Sequence, residues 1–135
     1  MESRYLYRGK RIDNREWVEG FLFMVNDVPY ILPHHKTGQP IHADNLLKTV
    51  VEVLEDTICQ CTGLKDKNGN LIWENDMVKG AYFVNGKEHR FIGKVGYVGS
   101  AFKVVGVKQY SGMRQELHSV YAIIGNIFDN PELLE

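Results

Sequence analysis

Five histidine and cysteine side chains, which can bind metals or take part in nucleophilic catalysis, lie in the first half of the sequence: His34, His35, His42, Cys59 and Cys61. Structural zinc sites show short-range pairs of cysteine or histidine ligands on both sides of a loop, and the spacing here matches none of the common patterns. Free cysteine is also among the residues most often buried as an apolar side chain. We therefore expect no metal site, but loop histidines and buried thiols.

Cys59 or Cys61 paired with His118 has the chemistry for nucleophilic catalysis, but nothing in the sequence would orient such a pair. Glu74 and Asp76 are a pair of carboxylates that would share one face of a strand, yet both lie in a turn motif. No glycine-rich phosphate loop of a known pattern is present. The sequence predicts neither catalytic residues nor a cofactor site, and therefore a protein that is not an enzyme.

The segment from residue 79 to residue 114 is basic within a chain whose net charge is −1. It holds seven lysine or arginine residues against Glu88 alone, and aromatic residues lie between them. Such a segment on a small barrel can follow a phosphate backbone and stack bases. Alternatively, the aromatic residues fill the core and the lysines form its solvated face, which we favour because strand alternation alone predicts it. The residues that would carry nucleic-acid binding are Lys87, Arg90, Lys94, Lys103 and Lys108.

The composition is that of a globular protein of one domain or two very small ones. The chain has 135 residues, of which 44% are hydrophobic and 24% charged. No apolar run is long enough to span a bilayer, and the first residues lack the apolar stretch of a secretory signal. With only two cysteines, which a reducing compartment would keep as thiols, we expect a cytoplasmic protein.

Short β-type runs dominate the first half of the chain. Residues 17–25 and 28–32 predict a hairpin with a turn at Asn26-Asp27, and Pro29 indicates an edge strand because proline cannot donate to the ladder. Residues 33–40 predict a loop, and residues 49–54 predict a strand. Residues 41–48 stay open, because Asp44 could cap a helix there.

The second half predicts further strands separated by turns, which is the pattern of a small barrel. We expect strands in these ranges: 57–64, 71–73, 81–84, 91–98, 102–107 and 117–127. Asn68-Gly69 predicts a tight primed turn with two residues at positive φ, and Asn85-Gly86 and Gly99-Ser100 predict hairpin turns. Pro131 to Leu134 predicts a short C-terminal helical turn, because Asn130 can cap and proline suits the first helical position.

Two long segments resemble the YopX-like family of phage and prophage proteins. They are residues 61–78, CTGLKDKNGNLIWENDMV, and residues 124–134, IGNIFDNPELL. The opening residues 7–10 and 17–20 are also similar to the family. The resemblance implies phage or prophage origin and an SH3-like barrel in the C-terminal part. It implies no assigned activity.

The sequence departs from the family at two positions of the first segment. Cys61 stands where an aromatic residue is usual, which indicates a packing position, and Asn75 stands where glycine is usual. Asparagine tolerates the left-handed conformation second best, so the turn can persist. We interpret Asn68, Gly69 and Asp76 as a structural turn motif, with Asp76 capping amides of the next turn.

The sequence thus predicts a mainly β protein, with an N-terminal β lobe at residues 1–57 packed against an SH3-like barrel lobe at residues 58–135. The first functional hypothesis is a non-catalytic interaction protein that binds an unknown protein or its own copies, without contact to a membrane. The alternative is a nucleic-acid-binding module of low specificity that uses the basic segment.

Overall fold

A computed structural model of the protein describes residues 3–34 and 49–135. The chain forms two compact units, Met1–Cys61 and Thr62–Glu135. The boundary between them lies within one continuous strand, later in the chain than the predicted boundary at residue 57. The open assignment at residues 41–48, the Asp44 cap and most of the predicted loop at 33–40 lie outside the described residues.

The described residues are mainly strands, as predicted, with short 3-10 turns between some of them. No helix among them is long and apolar enough to cross a membrane. The strands are β1 (Tyr7–Lys10), β2 (Trp17–Val25), β3 (Val28–Pro33), β4 (Val51–Glu52), β5 (Cys59–Lys65), β6 (Leu71–Trp73), β7 (Asp76–Val84), β8 (Lys87–Val98), β9 (Ala101–Gly106), β10 (Arg114–Glu116) and β11 (Ala122–Asn126).

In the first unit the strands pair in the order β4-β3-β2-β1-β5. The β2–β3 hairpin has the predicted bounds at its turn, where Asn26 and Asp27 both have positive φ. The edge position predicted from Pro29 is wrong, because β3 pairs with β2 on one side and β4 on the other. Proline is accommodated because β4 is only two residues long, and the Pro29 carbonyl accepts the N–H of Val53. The predicted strand at 49–54 shrinks to β4.

In the second unit five antiparallel strands pair in the order β10-β9-β8-β7-β11. The hairpin turns follow from their residues: Asn85 and Gly86 both have positive φ, as a type I′ turn requires, and Gly99 alone does at the next turn, as in type II′. Strands β7 and β8 extend well beyond their predicted ranges. The ladder between them runs without interruption from Met77 opposite Lys94 to Val84 opposite Lys87.

The SH3-like barrel is not confirmed, because the sheet does not close. Its outer strands, β10 and β11, do not pair with each other in the part of the chain that the structure describes. The predicted strand at 117–127 is wrong in its first part: Leu117 is buried, His118 to Val120 turn, and β11 begins only at Ala122. The reason is Tyr121, whose ring lies against Gly80 of β7 and so takes the chain out of the ladder.

The core of the second unit lies on one face of its sheet. Its fully or nearly fully buried members are Ile72, Val78, Phe91, Val95, Val104, Leu117 and Tyr121. Alternation along each strand therefore places the intervening residues on the opposite face, which we call the outer face. The predicted C-terminal helical turn is confirmed as a 3-10 turn over Pro131–Leu134.

Candidate functional site

Residues 61–78, which we call the family-like segment, contain a loop that is organised by the buried carboxylate of Asp66. Its Oδ1 accepts the N–H groups of Asn68 and Asn70, both at 2.9 Å, and its Oδ2 accepts the N–H of Ile123 at 3.1 Å. Burial alone raises the pKa of Asp66, but the donors Ile123, Asn70 and Asn68 outweigh it, so this pKa is lowered. Asp66 thus joins the β5–β6 hairpin to the start of β11.

The tight primed turn predicted at Asn68-Gly69 is wrong. Only Gly69 has positive φ, at 85°, and its N–H donates to the Asp66 carbonyl at 3.0 Å. The Asp66 N–H in turn donates to the Asn70 carbonyl, so the connection is a three-residue loop with glycine in the left-handed position. The Asp66 side chain favours this longer loop, because it satisfies the amides that a two-residue turn would place differently.

Asp76, the third member of the predicted turn motif, caps a backbone amide of the preceding turn. It is 2% exposed, and its Oδ2 accepts the N–H of Trp73, three residues earlier, at 2.8 Å. Asn75 between them has φ 70°, so it holds the left-handed position that the resemblance assigns to glycine. These residues position β6 against the start of β7.

The candidate metal ligands and nucleophiles that the structure describes are His34, Cys59, Cys61 and His118. No group of three histidine, cysteine or acidic side chains within residues 3–34 and 49–135 could hold a metal. His35 and His42 lie outside those ranges. The thiols of Cys59 and Cys61 are both fully buried on one face of β5, as the packing interpretation predicts. In the second unit, His118 is exposed and its ring lies 5.1 Å from that of Tyr121.

The five basic residues proposed for nucleic-acid binding do not share one surface. Strand alternation places Arg90, Lys94 and Lys103 on the outer face, but Lys87 has the opposite orientation. Lys108 lies in a 3-10 turn after β9. Two of the outer-face residues are engaged: Arg90 Nε donates to the Tyr110 hydroxyl at 3.1 Å, and Lys103 forms an ion pair with Glu116 at 2.9 Å.

Two other basic residues complete a row that the sequence did not single out. Arg114 of β10 lies opposite Val105 of β9, and Lys94 of β8 lies opposite the same valine. Lys79 of β7, which pairs with Ile92, has the same orientation. The register brings this row together, and the register cannot be deduced from charge counts along the sequence.

Most of the interleaved aromatic residues belong to the core. Phe91 is fully buried, Tyr82 and Tyr110 pack edge-on against it, and Phe102 packs against the same cluster. Phe83 and Tyr97 are the exceptions in the basic segment, at 69% and 57% exposed. Base stacking on an aromatic platform therefore has little support on this face.

The strand β7 has a free edge over its second half. In a two-residue hairpin the closing pair, Val84 and Lys87, is hydrogen-bonded, and alternate pairs toward the sheet follow it. The N–H and C=O groups of Ala81 and Phe83 therefore point away from β8. Strand β11 covers that side of β7 only as far as Lys79, so within the described residues these N–H and C=O groups have no ladder partner on the side away from β8.

A cleft of about 920 Å³ lies along this free edge. The hairpin loop after β5 and the turn before β11 contribute to its walls, and the N–H of Lys67 donates to the Tyr121 carbonyl at 2.9 Å between them. The residues that line the cleft include Lys67, Lys79, Tyr82, Phe83, His118 and Val120. Phe83 and Val120 are exposed, at 69% and 59%.

Sequence reasoning missed this cleft, although one signal for part of it was present. An aspartate two residues before Asn-Gly is the pattern of a side chain that bonds the backbone two residues on, which marks Asp66 as the organiser of the loop. The free edge has no local signal, because it depends on where β11 leaves β7.

Comparisons with known proteins cover nearly the whole chain. A family model described as YopX protein matches residues 6–135. Among solved structures, the chain is similar to the crystal structure of protein EF1440 from Enterococcus faecalis, with 26% identity, 96% of each chain covered and a TM-score of 0.52. No curated protein matches the chain. The range matched by the family model therefore contains the residues of the Asp66 loop, of β7 and of the cleft.

Proposed function

Because the chain belongs to the YopX family, we propose that it is a non-catalytic interaction protein of phage or prophage origin. It binds a protein partner or further copies of itself, and it acts in the cytosol of a bacterial host. The observation that carries this proposal is the exposed arm formed by the ends of β7 and β8, where backbone groups and apolar side chains are presented together.

The arm has the composition of a protein-binding surface. Phe83 is 69% exposed and Val84 47% exposed beside the Asn85-Gly86 turn. Large exposed apolar side chains that cluster next to unpaired strand edges mark interaction sites or liabilities that proteins otherwise avoid. The non-catalytic part of the proposal is supported by the reactive groups themselves, since both thiols are buried and Asp66 and Asp76 are used as backbone caps.

The matched pair Phe83→Asp and Met24→Asp tests this proposal. Each residue stands two positions before the first residue of a two-residue hairpin turn, and both are exposed, Met24 at 51%. We expect Phe83→Asp to abolish association while Met24→Asp retains it. Size-exclusion chromatography with light scattering measures self-association, and cross-linked pull-down from infected or induced host cells measures partner binding.

The two readouts separate the two forms of the proposal. If light scattering shows a monomer at high concentration, self-association is excluded and binding to a different protein is the form of the proposal that stands. If no association of either kind depends on Phe83, the arm is not the binding surface and the proposal fails.

A second candidate function is nucleic-acid binding of low sequence specificity. It is favoured by the row of Lys94 and Arg114 on either side of Val105, with Lys79 on the same outer face. Lysine offers a point charge without the bidentate fork that distinguishes guanine, so contacts would be mainly to phosphates. Fluorescence anisotropy with short single- and double-stranded oligonucleotides at low salt tests it. Absence of binding at tens of micromolar protein would exclude it, since about 1–100 µM is the usual range of non-specific binders.

A further inference from the structure

We propose that the cleft beside β7 captures an extended, acidic peptide segment of a partner protein by adding it as a strand to the free edge of β7. This inference rests on the proposed function and names the mode of binding and the chemistry of the ligand. It follows from three features of the cleft: its backbone groups, the spacing of its side chains and its charge.

The backbone groups select an extended peptide. Ala81 and Phe83 each present one N–H and one C=O to the cleft, with the two-residue spacing of a β ladder. An incoming strand can bond both residues and so continue the position that β11 leaves after Lys79. Strand addition of this kind draws affinity from main-chain bonds and specificity from alternate side chains.

The other edge of the same arm is less suited to a peptide. There, Glu88 and Arg90 point their backbone groups away from β7, but the Arg90 side chain is bonded to the Tyr110 hydroxyl beside that edge. The β7 edge is the better suited of the two, because the cleft with its apolar side chains lies along it.

Side chains on the two sides of the β7 edge would contact alternate residues of the peptide. Tyr82 lies on the core side, held by a stack on His89 at 5.2 Å and an edge-on contact with Phe91 at 6.0 Å. Phe83 lies on the outer side and is largely exposed. Since Tyr82 is already fixed by packing, a branched apolar side chain can pack against it at little entropic cost.

The charge of the cleft favours an acidic ligand at one end. Lys67 and Lys79 line the cleft, and within the described residues neither forms an ion pair. The acidic residue of the lining, Glu88, lies opposite Phe83 near the hairpin turn, several pairs away from Lys79. A carboxylate near Lys79 would therefore meet a positive charge, and Lys67 adds a second one to the cleft lining.

Selection from a random dodecapeptide library displayed on filamentous phage tests this proposal, with the full-length protein immobilised and Ala81→Pro protein used for counter-selection. Proline at 81 removes a donor that faces the cleft while leaving the ladder to β8 intact. We expect enriched peptides with alternating branched apolar residues and at least one aspartate or glutamate. The synthesised consensus peptide should bind Ala81→Pro at least about tenfold more weakly, as the loss of main-chain bonds predicts.

Charge reversal checks the acidic preference. Lys79→Glu should weaken the consensus peptide and favour a version with lysine in place of its acidic residue, whereas Lys94→Glu, on the same face but outside the cleft, should change neither. Absence of enrichment, equal affinity for Ala81→Pro, or displacement of the peptide by a short oligonucleotide would overturn the proposal. If Phe83→Asp still abolishes protein association while Ala81→Pro has no effect, strand addition fails and the proposed function stands.

Discussion

At the residue scale, Asp66 connects the loop of the family-like segment to the cleft. Its two carboxylate oxygens accept three backbone N–H groups, one of them from Ile123 at the start of β11. A buried carboxylate that satisfies several amides cannot be replaced by a group of the same shape without leaving a donor unpaired. The position of the loop after β5, which contributes to one wall of the cleft, therefore depends on the carboxylate of Asp66.

Asp66→Asn should destabilise the protein by about 1–3 kcal/mol, because the amide NH₂ would face a backbone N–H where the carboxylate accepted it. Asp56→Asn, an exposed carboxylate in a 3-10 turn, is the control and should change stability by less than about 0.5 kcal/mol. Urea unfolding at pH 7 measures both. Equal stabilities of the two variants would contradict the role assigned to Asp66.

The same residue predicts a pH dependence. Because the folded pKa of Asp66 is lowered, its contribution is present above the unfolded value of 3.8 and is lost as the pH falls through the folded pKa. Wild-type protein should therefore lose more stability than Asp66→Asn when the pH is lowered below about 4. If the free energy of unfolding fell equally with pH in the two proteins across that range, folding would not lower the pKa of Asp66.

Gly80 is a second residue on which the cleft depends. A Cβ at Gly80 would lie 2.4 Å from the ring of the fully buried Tyr121, whereas a Cβ at Gly96 of β8 meets nothing closer than 3.9 Å. Gly80→Ala should cost about 1–3 kcal/mol by overpacking, and Gly96→Ala should be neutral or slightly stabilising. Thermal unfolding compares them. A neutral Gly80→Ala would mean that Tyr121 does not pack on β7.

At the scale of elements, the pairing of β7 with β8 predicts which amides of β7 contribute to stability. Val84→Pro removes an N–H that bonds the Lys87 carbonyl, whereas Ala81→Pro removes one that faces the cleft. Val84→Pro should therefore be the more destabilising by about 1 kcal/mol, the usual net contribution of one such bond. Chemical unfolding measures the difference in stability. If Ala81→Pro were the less stable variant, the N–H of Ala81 would not face the cleft and the assignment of the free edge would be wrong.

The elements also show how far sequence reasoning extends. The turns at Asn26-Asp27, Asn85-Gly86 and Gly99-Ser100 were predictable, because positive φ restricts them to a few residue types. The lengths of β7 and β8 were not. Residues 87–90 are polar and exposed, and they are in a strand because the I′ turn fixes the register and the ladder then continues.

Two of the errors have a non-local origin. Pro29 suggested an edge, but the neighbouring strand β4 comes from a distant part of the chain. The segment 117–121 has strand-like residues, yet Tyr121 packs on Gly80 and the chain turns. The free edge of the cleft exists because of that departure, so no property of the local sequence could predict this edge. The basic residues were visible in the sequence, but their distribution over two faces was not.

At the scale of the whole molecule, the two candidate functions share Lys79 but otherwise use different residues of the second unit. If the outer face binds nucleic acid, Lys94→Gln with Arg114→Gln should flatten the salt dependence of binding by about two phosphate contacts. Lys87→Gln with Lys108→Gln removes the same charge elsewhere and should leave the slope unchanged. Anisotropy at several salt concentrations measures both slopes, and equal effects would mean that the row across β8, β9 and β10 is not a binding site.

Amide hydrogen exchange resolved by residue along β7, with and without the selected peptide, tests the binding account most directly. In the free protein we expect Ala81 and Phe83 to exchange rapidly, while Gly80 and Tyr82, which alternate with them along β7, are protected by their bonds to β8. With the peptide bound, Ala81 and Phe83 should become protected as well. Protection of all four amides in the free protein, or rapid exchange of Ala81 and Phe83 that the peptide leaves unchanged, would contradict binding at the β7 edge.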